Sequence, residues 1–233
     1  EIYESDEFFP KQIVDKERPY ILRDYRGQTI NIYPFQYNPV SKVLRVYTEL
    51  IVKISEDSDQ KATINVLDKN KDTNEIREFA EIYKSHFLNY SFGTKYTPLE
   101  EEGEMLIISP TEYLSKLDTF INWKNQRGLK TEIVEYSTIG STAEQIKTYV
   151  IDYYNNHNLV YLLLIGDAED IPSLYKSGDS DAAYGHILGD DSYTEIFVGR
   201  FSAENETQLE TQVNRSIYYE RDIETSATWL SKA

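Results

Sequence analysis

The sequence predicts an α/β domain with a mostly parallel sheet flanked by helices over residues 96–233. It is preceded by an antiparallel, β-rich segment of sandwich type over residues 1–95. Three observations carry this reading. Apolar and polar residues alternate with period two through much of the first ninety positions, as in half-buried strands. After residue 104, short apolar runs alternate with stretches of helical spacing, the pattern of parallel strands joined by crossover helices. Between them lies "SFGTKYTPLEEEGE", 91–104, with Gly93, Pro98, Gly103 and a run of acids, which reads as the domain boundary.

In the first segment the strongest strand signal is "SKVLRVYTELIVKIS", 41–55. Leu44, Val46, Leu50, Val52 and Ile54 share one face, with Arg45, Glu49 and Lys53 on the other. "TINIYPF", 29–35, is a second strand, and Asn38-Pro39 makes the turn between them. Tyr20–Arg23 and Thr63–Leu67 are shorter candidates. Residues 72–90 carry Ile76, Phe79, Ala80 and Tyr83 at helical spacing and read as a helix or an irregular arm.

In the second segment "EMLIIS" is a strand, and 110–129 an amphipathic helix with Leu114, Leu117, Phe120 and Ile121 along one side and Gly128 as its C-terminal cap. "KTEIVEY" is a strand, and "TAEQIKTYVIDYYNN" a helix with Ile146, Tyr149, Val150 and Tyr153 on one face. "LVYLLLIG" is apolar throughout, as expected in the middle of a parallel sheet. "YTEIFVGR" is a further strand, and "AENETQLETQVNRSIYYERD" a third helix.

Charge narrows the function classes. Residues 1–95 hold 16 acids and 14 bases, a net of −2; residues 96–233 hold 24 acids and 10 bases, a net of −14. An acidic second part argues against nucleic acid, whose phosphates require Lys and Arg. There is no cysteine, so these residues contain no disulfide, thiolate metal site or Cys nucleophile. No apolar run approaches the ~20 residues of a membrane span. A chain beginning at Glu1 without Met reads as a processed or excised piece.

The acids cluster at "LGDDSYTE", 188–195, about twenty residues after Asp167 at the end of the central strand "LVYLLLIG". In open parallel sheets ligands collect outside the carboxyl ends of strands. A hard cation such as Ca²⁺ takes roughly six to eight oxygens from carboxylates and carbonyls. Asp191 and Glu195, with the carbonyls of Leu188 and Tyr193, can wrap one ion, and Asp167 can close it from the adjacent strand. The absence of His and Cys there disfavours Zn²⁺. The competing reading is a solvated acidic loop. A second rival, an aspartyl phospho-acceptor at Asp167, lacks the acidic pair at the first strand, which ends in Ser109-Pro110. His86, His157 and His186 sit in no nucleophile–base setting, and neither GxGxxG nor GxxxxGK occurs.

"FINWKNQRGLKTEI", 120–133, resembles the gingipain family of secreted bacterial cysteine endopeptidases, the C25 peptidases with a caspase-like fold. "VYLLLIGDAEDIP", "YGHILGDDSYTEIFVGRFSAE" and "SIYYERDI" continue the resemblance in order. "YTPLEE", 96–101, resembles the start of the mature catalytic domain, and 23–50 resembles the C-terminal half of the propeptide. The resemblance implies a processing junction at Lys95-Tyr96, since a basic residue precedes the mature N-terminus in the family. It implies a structural calcium site in which Asp167, Asp191 and Glu195 supply carboxylates and Leu188 and Tyr193 supply carbonyls. It implies a Cys–His catalytic pair outside this chain, so no catalytic residue is carried over. The implied partners are the remaining C-terminal half of the peptidase domain and protein or peptide substrates. The implied location is secreted, or on the outer surface of a Gram-negative bacterium. Two alternatives remain: a gingipain-like sortase of the secretion system, and a non-catalytic calcium-binding or inhibitory module.

Overall fold

The computed structural model describes residues 2–55, 63–67, 76–90, 103–176, 178–224 and 226–228. Its contacts divide the chain into two compact units: Glu1–Asn70 with Gly189–Asp191, and Lys71–Leu188 with Ser192–Ala233.

Among the described residues, the first unit carries three two-stranded antiparallel ladders. Strand β1 (Val14–Lys16) pairs with β4 (Ile30–Ile32), β2 (Tyr20–Leu22) with β3 (Tyr25–Gly27), and β5 (Phe35–Asn38) with β6 (Val43–Val46). The antiparallel character expected of this segment is therefore present. The β2–β3 ladder places Tyr20 opposite Gly27, and the tyrosine ring lies across the glycine. A Cβ at position 27 would fall 2.2 Å from that ring, so only glycine fits. The expected turn at Asn38-Pro39 joins β5 to β6: the Asn38 side-chain oxygen accepts from the N–H groups of Val40 and Ser41.

Two strand expectations change. The expected strand 29–35 divides at Pro34, which has no N–H to give a ladder, so β4 and β5 pair with different partners. The expected strand 41–55 stops at Val46, opposite Phe35, and its last backbone bond runs from Tyr47 N–H to the Pro34 carbonyl. Beyond that point β5 offers no further partner, and alternation alone cannot make a strand. The candidate Thr63–Leu67 forms no strand either, because Asn65 takes φ +46° and turns the backbone there.

The second unit contains a four-stranded, all-parallel sheet. Its strands are β7 (Glu104–Ser109), β8 (Thr131–Glu135), β9 (Leu159–Ile165) and β12 (Phe197–Phe201), and they lie in the order β12-β9-β7-β8. The short strands β10 (Leu174–Tyr175) and β11 (Asp179–Ser180) form a separate hairpin. Alternate residues of the central strands bury opposite faces. Leu106, Ile108, Leu162 and Leu164 join Ile146, Val150 and Tyr153 of α4 (Ala143–Asn156) in one cluster. Met105, Ile107, Leu163 and Ile165 join Phe120 of α2 (Asp118–Gln126) and Leu209, Val213 and Ile217 of α5 (Glu206–Ile217) in the other. Burial on both faces explains why β9 reads as a continuous apolar run.

The helices follow their local signals. α4 starts in a capping box between Thr142 and Gln145, after the single turn α3 (Tyr136–Ile139). The side chain of Asn205 caps α5, which ends in one π turn over Tyr218–Asp222. The expected helix 110–129 is a 3₁₀ turn, Thr111–Lys116, followed by α2, with Gly128 at φ +92° after its end. The arm at 72–90 contains a true helix, α1 (Arg77–His86), with Phe79 and Tyr83 fully buried. Although it precedes residue 95, α1 belongs to the second compact unit. Phe79 stacks on Phe197 of β12 at 5.1 Å, and Phe197 stacks on Tyr161 of β9 at 5.5 Å.

Candidate functional site at the carboxyl edge of the sheet

The chain runs from β7 to its neighbour β8, then crosses to β9 on the other side of β7. The order therefore reverses between β7 and β9, and a ligand crevice is expected outside their carboxyl ends. Ser109 ends β7 and is fully buried. β9 is followed by Gly166, at φ +99°, and then by Asp167, the first of the expected acids.

Asp167 opens a tight turn. Its carboxylate accepts from the Ala168 N–H at 2.7 Å, and its carbonyl accepts from the N–H groups of Asp170 and Ile171. Arg200, late in β12, donates one guanidinium nitrogen to the carbonyls of Gly166 and Asp167, both at 3.1 Å. Its other two nitrogens fork onto the Asp181 carboxylate, each at 2.7 Å. These bonds hold the Asp181 carboxyl below its ordinary value, with Ser173 adding a further hydrogen bond. Arg200 thus ties β12, the turn after β9 and the segment after β11 at one edge of the sheet. Sequence reasoning missed this clamp. An Arg at a strand's end is its only trace, and its partner Asp181 lies nineteen residues away.

Glu195 has no exposed surface. One carboxylate oxygen accepts from the N–H groups of Ile187 (2.7 Å) and Leu188 (2.9 Å), so Leu188 meets Glu195 through its amide nitrogen. Nearby, Lys147 of α4 donates to the carbonyls of Ala183, Tyr184 and His186 at 2.7–2.9 Å. Burial pushes the Lys147 ammonium down to about 8, and the charge of Glu195 works against that fall. The loop over 183–195 is thus folded around one buried anion and one partly buried cation. Lys147 was also missed, since one lysine beside the apolar stripe of a helix looks like ordinary surface. Tyr193 lays its ring edge-on to His86 at 5.4 Å. Asp191 groups with the first compact unit, where one of its oxygens accepts from the Ile21 N–H at 2.8 Å and the Asn65 side-chain amide at 3.2 Å.

Of the five expected ligands, Asp167, Leu188, Tyr193 and Glu195 belong to the second compact unit and Asp191 to the first. Among the described residues, no three His, Asp or Glu side chains are gathered in an arrangement that could hold a metal ion. The junction Lys95-Tyr96 lies outside the described residues. No helix among the described residues is long and apolar enough to cross a membrane.

A doubly wound α/β core, preceded by an antiparallel β segment, places the chain in a class of domains that bind ligands outside the carboxyl ends of their strands. Family comparison makes the class specific. Residues 99–233 match the model of peptidase family C25, and residues 1–87 match that family's propeptide model. The chain belongs to peptidase family C25. It is 45% identical over 238 residues to gingipain R2 of Porphyromonas gingivalis, covering 99% of this chain and 32% of that protein. Among solved structures it resembles the Arg-specific cysteine proteinase gingipain R, with 44% identity and a TM-score of 0.53 over 57% of this chain and 33% of that one. It also resembles a complex of the pro- and mature domains of gingipain RgpB from P. gingivalis, with 45% identity and a TM-score of 0.52 over 55% of this chain and 31% of that one. The chain spans about a third of the length of each of these proteins. The expected class, a caspase-like α/β fold behind a β-rich propeptide segment, holds.

Proposed function

We propose that this chain is the N-terminal portion of a gingipain-like cysteine endopeptidase zymogen, secreted or held at the outer surface of a Gram-negative bacterium. The enzyme hydrolyses peptide bonds after a basic residue by acyl transfer through a thioester. One observation carries the reading: the propeptide and peptidase models match the same chain in order, either side of Lys95-Tyr96. These residues contain no cysteine, so the thiolate and its histidine base come from sequence outside them. The parts present here would supply part of the pro-segment and four strands of the catalytic sheet. Arginine substrates are the first to test, because the similar solved proteinase is Arg-specific. The full gene product should cleave Arg-containing peptides and lose that activity on thiol alkylation. No cleavage after Arg or Lys overturns the reading. The complete lack of cysteine favours one other reading, a non-catalytic cation-binding or inhibitory module, and that result would select it.

A calcium ion belongs to the same proposal, held by the carboxylates of Asp167, Asp191 and Glu195 and the carbonyls of Leu188 and Tyr193. Its support is an all-oxygen donor set suited to a hard cation, together with the family resemblance. The ion would fix loops rather than take part in chemistry. A site that binds only the folded state stabilises by mass action, by about 2.7 kcal/mol at a hundred times Kd. Chelation should therefore lower the melting temperature, and Asp191→Ala should remove most of that response. A melting curve indifferent to chelator sinks the calcium site.

A further inference from the structure

One cation of the second compact unit is taken up entirely by backbone. Lys147 lies on α4, and its acceptors lie in the segment between β11 and β12 of the same unit. Its ammonium donates to the carbonyls of Ala183 (2.9 Å), Tyr184 (2.9 Å) and His186 (2.7 Å). An ammonium has three N–H donors, so these three bonds use all of them. The acceptors come from the end of the 3₁₀ turn Ala182–Gly185, where carbonyls lack partners within the turn. The carbonyl between them, that of Gly185, turns elsewhere and accepts from the Glu195 N–H at 2.9 Å. Four successive carbonyls are thus satisfied, three of them by one nitrogen.

The cage is also held by contacts that do not involve the lysine. Tyr184 is fully buried, and its hydroxyl donates to the Pro172 carbonyl. The Tyr184 N–H donates to the Asp181 carbonyl at 3.0 Å. A Cβ at Gly185 would fall 2.9 Å from the Ile196 carbonyl, so the turn packs backbone to backbone there. Three converging carbonyls at 2.7–2.9 Å from one positive centre are what a weakly hydrated monovalent cation accepts in place of its water shell.

We propose that the carbonyls of Ala183, Tyr184 and His186 form a monovalent-cation site that the chain fills with its own Lys147, a tethered ion that positions the segment before β12. The ligand class is a potassium-sized or ammonium ion. Wild type needs no such ion from solution, because the tether supplies it at high effective concentration. Shortening the side chain empties the cage and exposes the site. Burial of the ammonium agrees with this, since it shows a charge withdrawn from water and held by the carbonyl dipoles instead.

The test compares the whole chain with Lys147→Ala, which leaves room for a free ion, and Lys147→Met, whose apolar side chain fills that room. Each is refolded and melted in ammonium, potassium, sodium or tetramethylammonium chloride at matched ionic strength, so that screening is equal. Wild type should melt alike in all four. Lys147→Ala should melt lower, and about 0.5 M ammonium or potassium should return about 3–5 °C that tetramethylammonium does not. Lys147→Met should melt lower and regain nothing. Amide exchange over 183–188 should slow with ammonium in Lys147→Ala and in neither other protein. A Lys147→Ala that folds only in ammonium or potassium supports the site. One that folds in no salt, melts as wild type does, or ignores which cation is present overturns it. An equal response from Lys147→Met also overturns it, because the ion is then acting outside the cage.

Discussion

At the residue scale, one side chain, Arg200, ties the carboxyl edge of the sheet, and its partners lie nineteen to thirty-four residues away in sequence. Arg200 satisfies two carbonyls and one carboxylate at once, and its guanidinium is one of the few groups able to do so. Replacing it by Lys loses the fork onto Asp181 and leaves the Gly166 and Asp167 carbonyls less well paired, at a cost of about 1–3 kcal/mol. Thermal melting of Arg200→Lys should show that loss. The pairing also sets a pH dependence. The folded Asp181 pKa lies below its ordinary value of 3.8, so the unfolded state binds the proton more tightly. The resulting stability is fully present above that ordinary value and is lost as pH falls through the lower folded pKa. Asp181→Asn should therefore be less stable than wild type at pH 6, with a gap that narrows on acidification below about 4. A gap that stays constant with pH would show that Arg200 does not hold the Asp181 charge.

At the scale of elements, helix α1 is the informative case. Its spacing is plain in the sequence, with Ile76, Phe79, Ala80 and Tyr83 on one stripe, but spacing does not say what the stripe covers. Three-dimensional packing supplies the answer as an aromatic stack on Phe197 and Tyr161. A ten-residue helix has little stability alone, so α1 persists because of that packing. Phe79→Ala should cost about 3–5 kcal/mol of local stability. Amide exchange across residues 77–86 should then rise sharply while exchange in β7 and β9 stays slow. Equal protection in the variant and wild type would show that the stack does not hold the helix. The short strands carry the opposite lesson. Period two over 41–55 is sound as a pattern, yet β6 ends where β5 runs out of paired backbone.

For the whole molecule, the order of parts sets one further expectation. If segment 1–95 is removed at the expected junction, Lys95→Gln in the full gene product should leave it covalently attached. N-terminal sequencing of the wild-type product should read from Tyr96. Release at Tyr96 despite the substitution would place the specificity of cutting elsewhere. Much of the fold is legible in the amino-acid sequence. The fully buried β9 announces itself as an unbroken apolar run, and the helix α4 by its apolar stripe of Ile146, Val150 and Tyr153. The all-parallel sheet follows from the alternation of strands and helices. The resemblance of several collinear blocks then points to the family. Those features are legible because burial periodicity depends on neighbours a few residues away. What only the tertiary structure decided were contacts across long stretches of chain: Arg200 on Asp181, Lys147 in its three carbonyls, and Asp191 on Ile21 and Asn65. Asp191 and Asn65 are separated by 126 residues. No local pattern records such a meeting, because it is made by packing elements together rather than by propensity within any one of them.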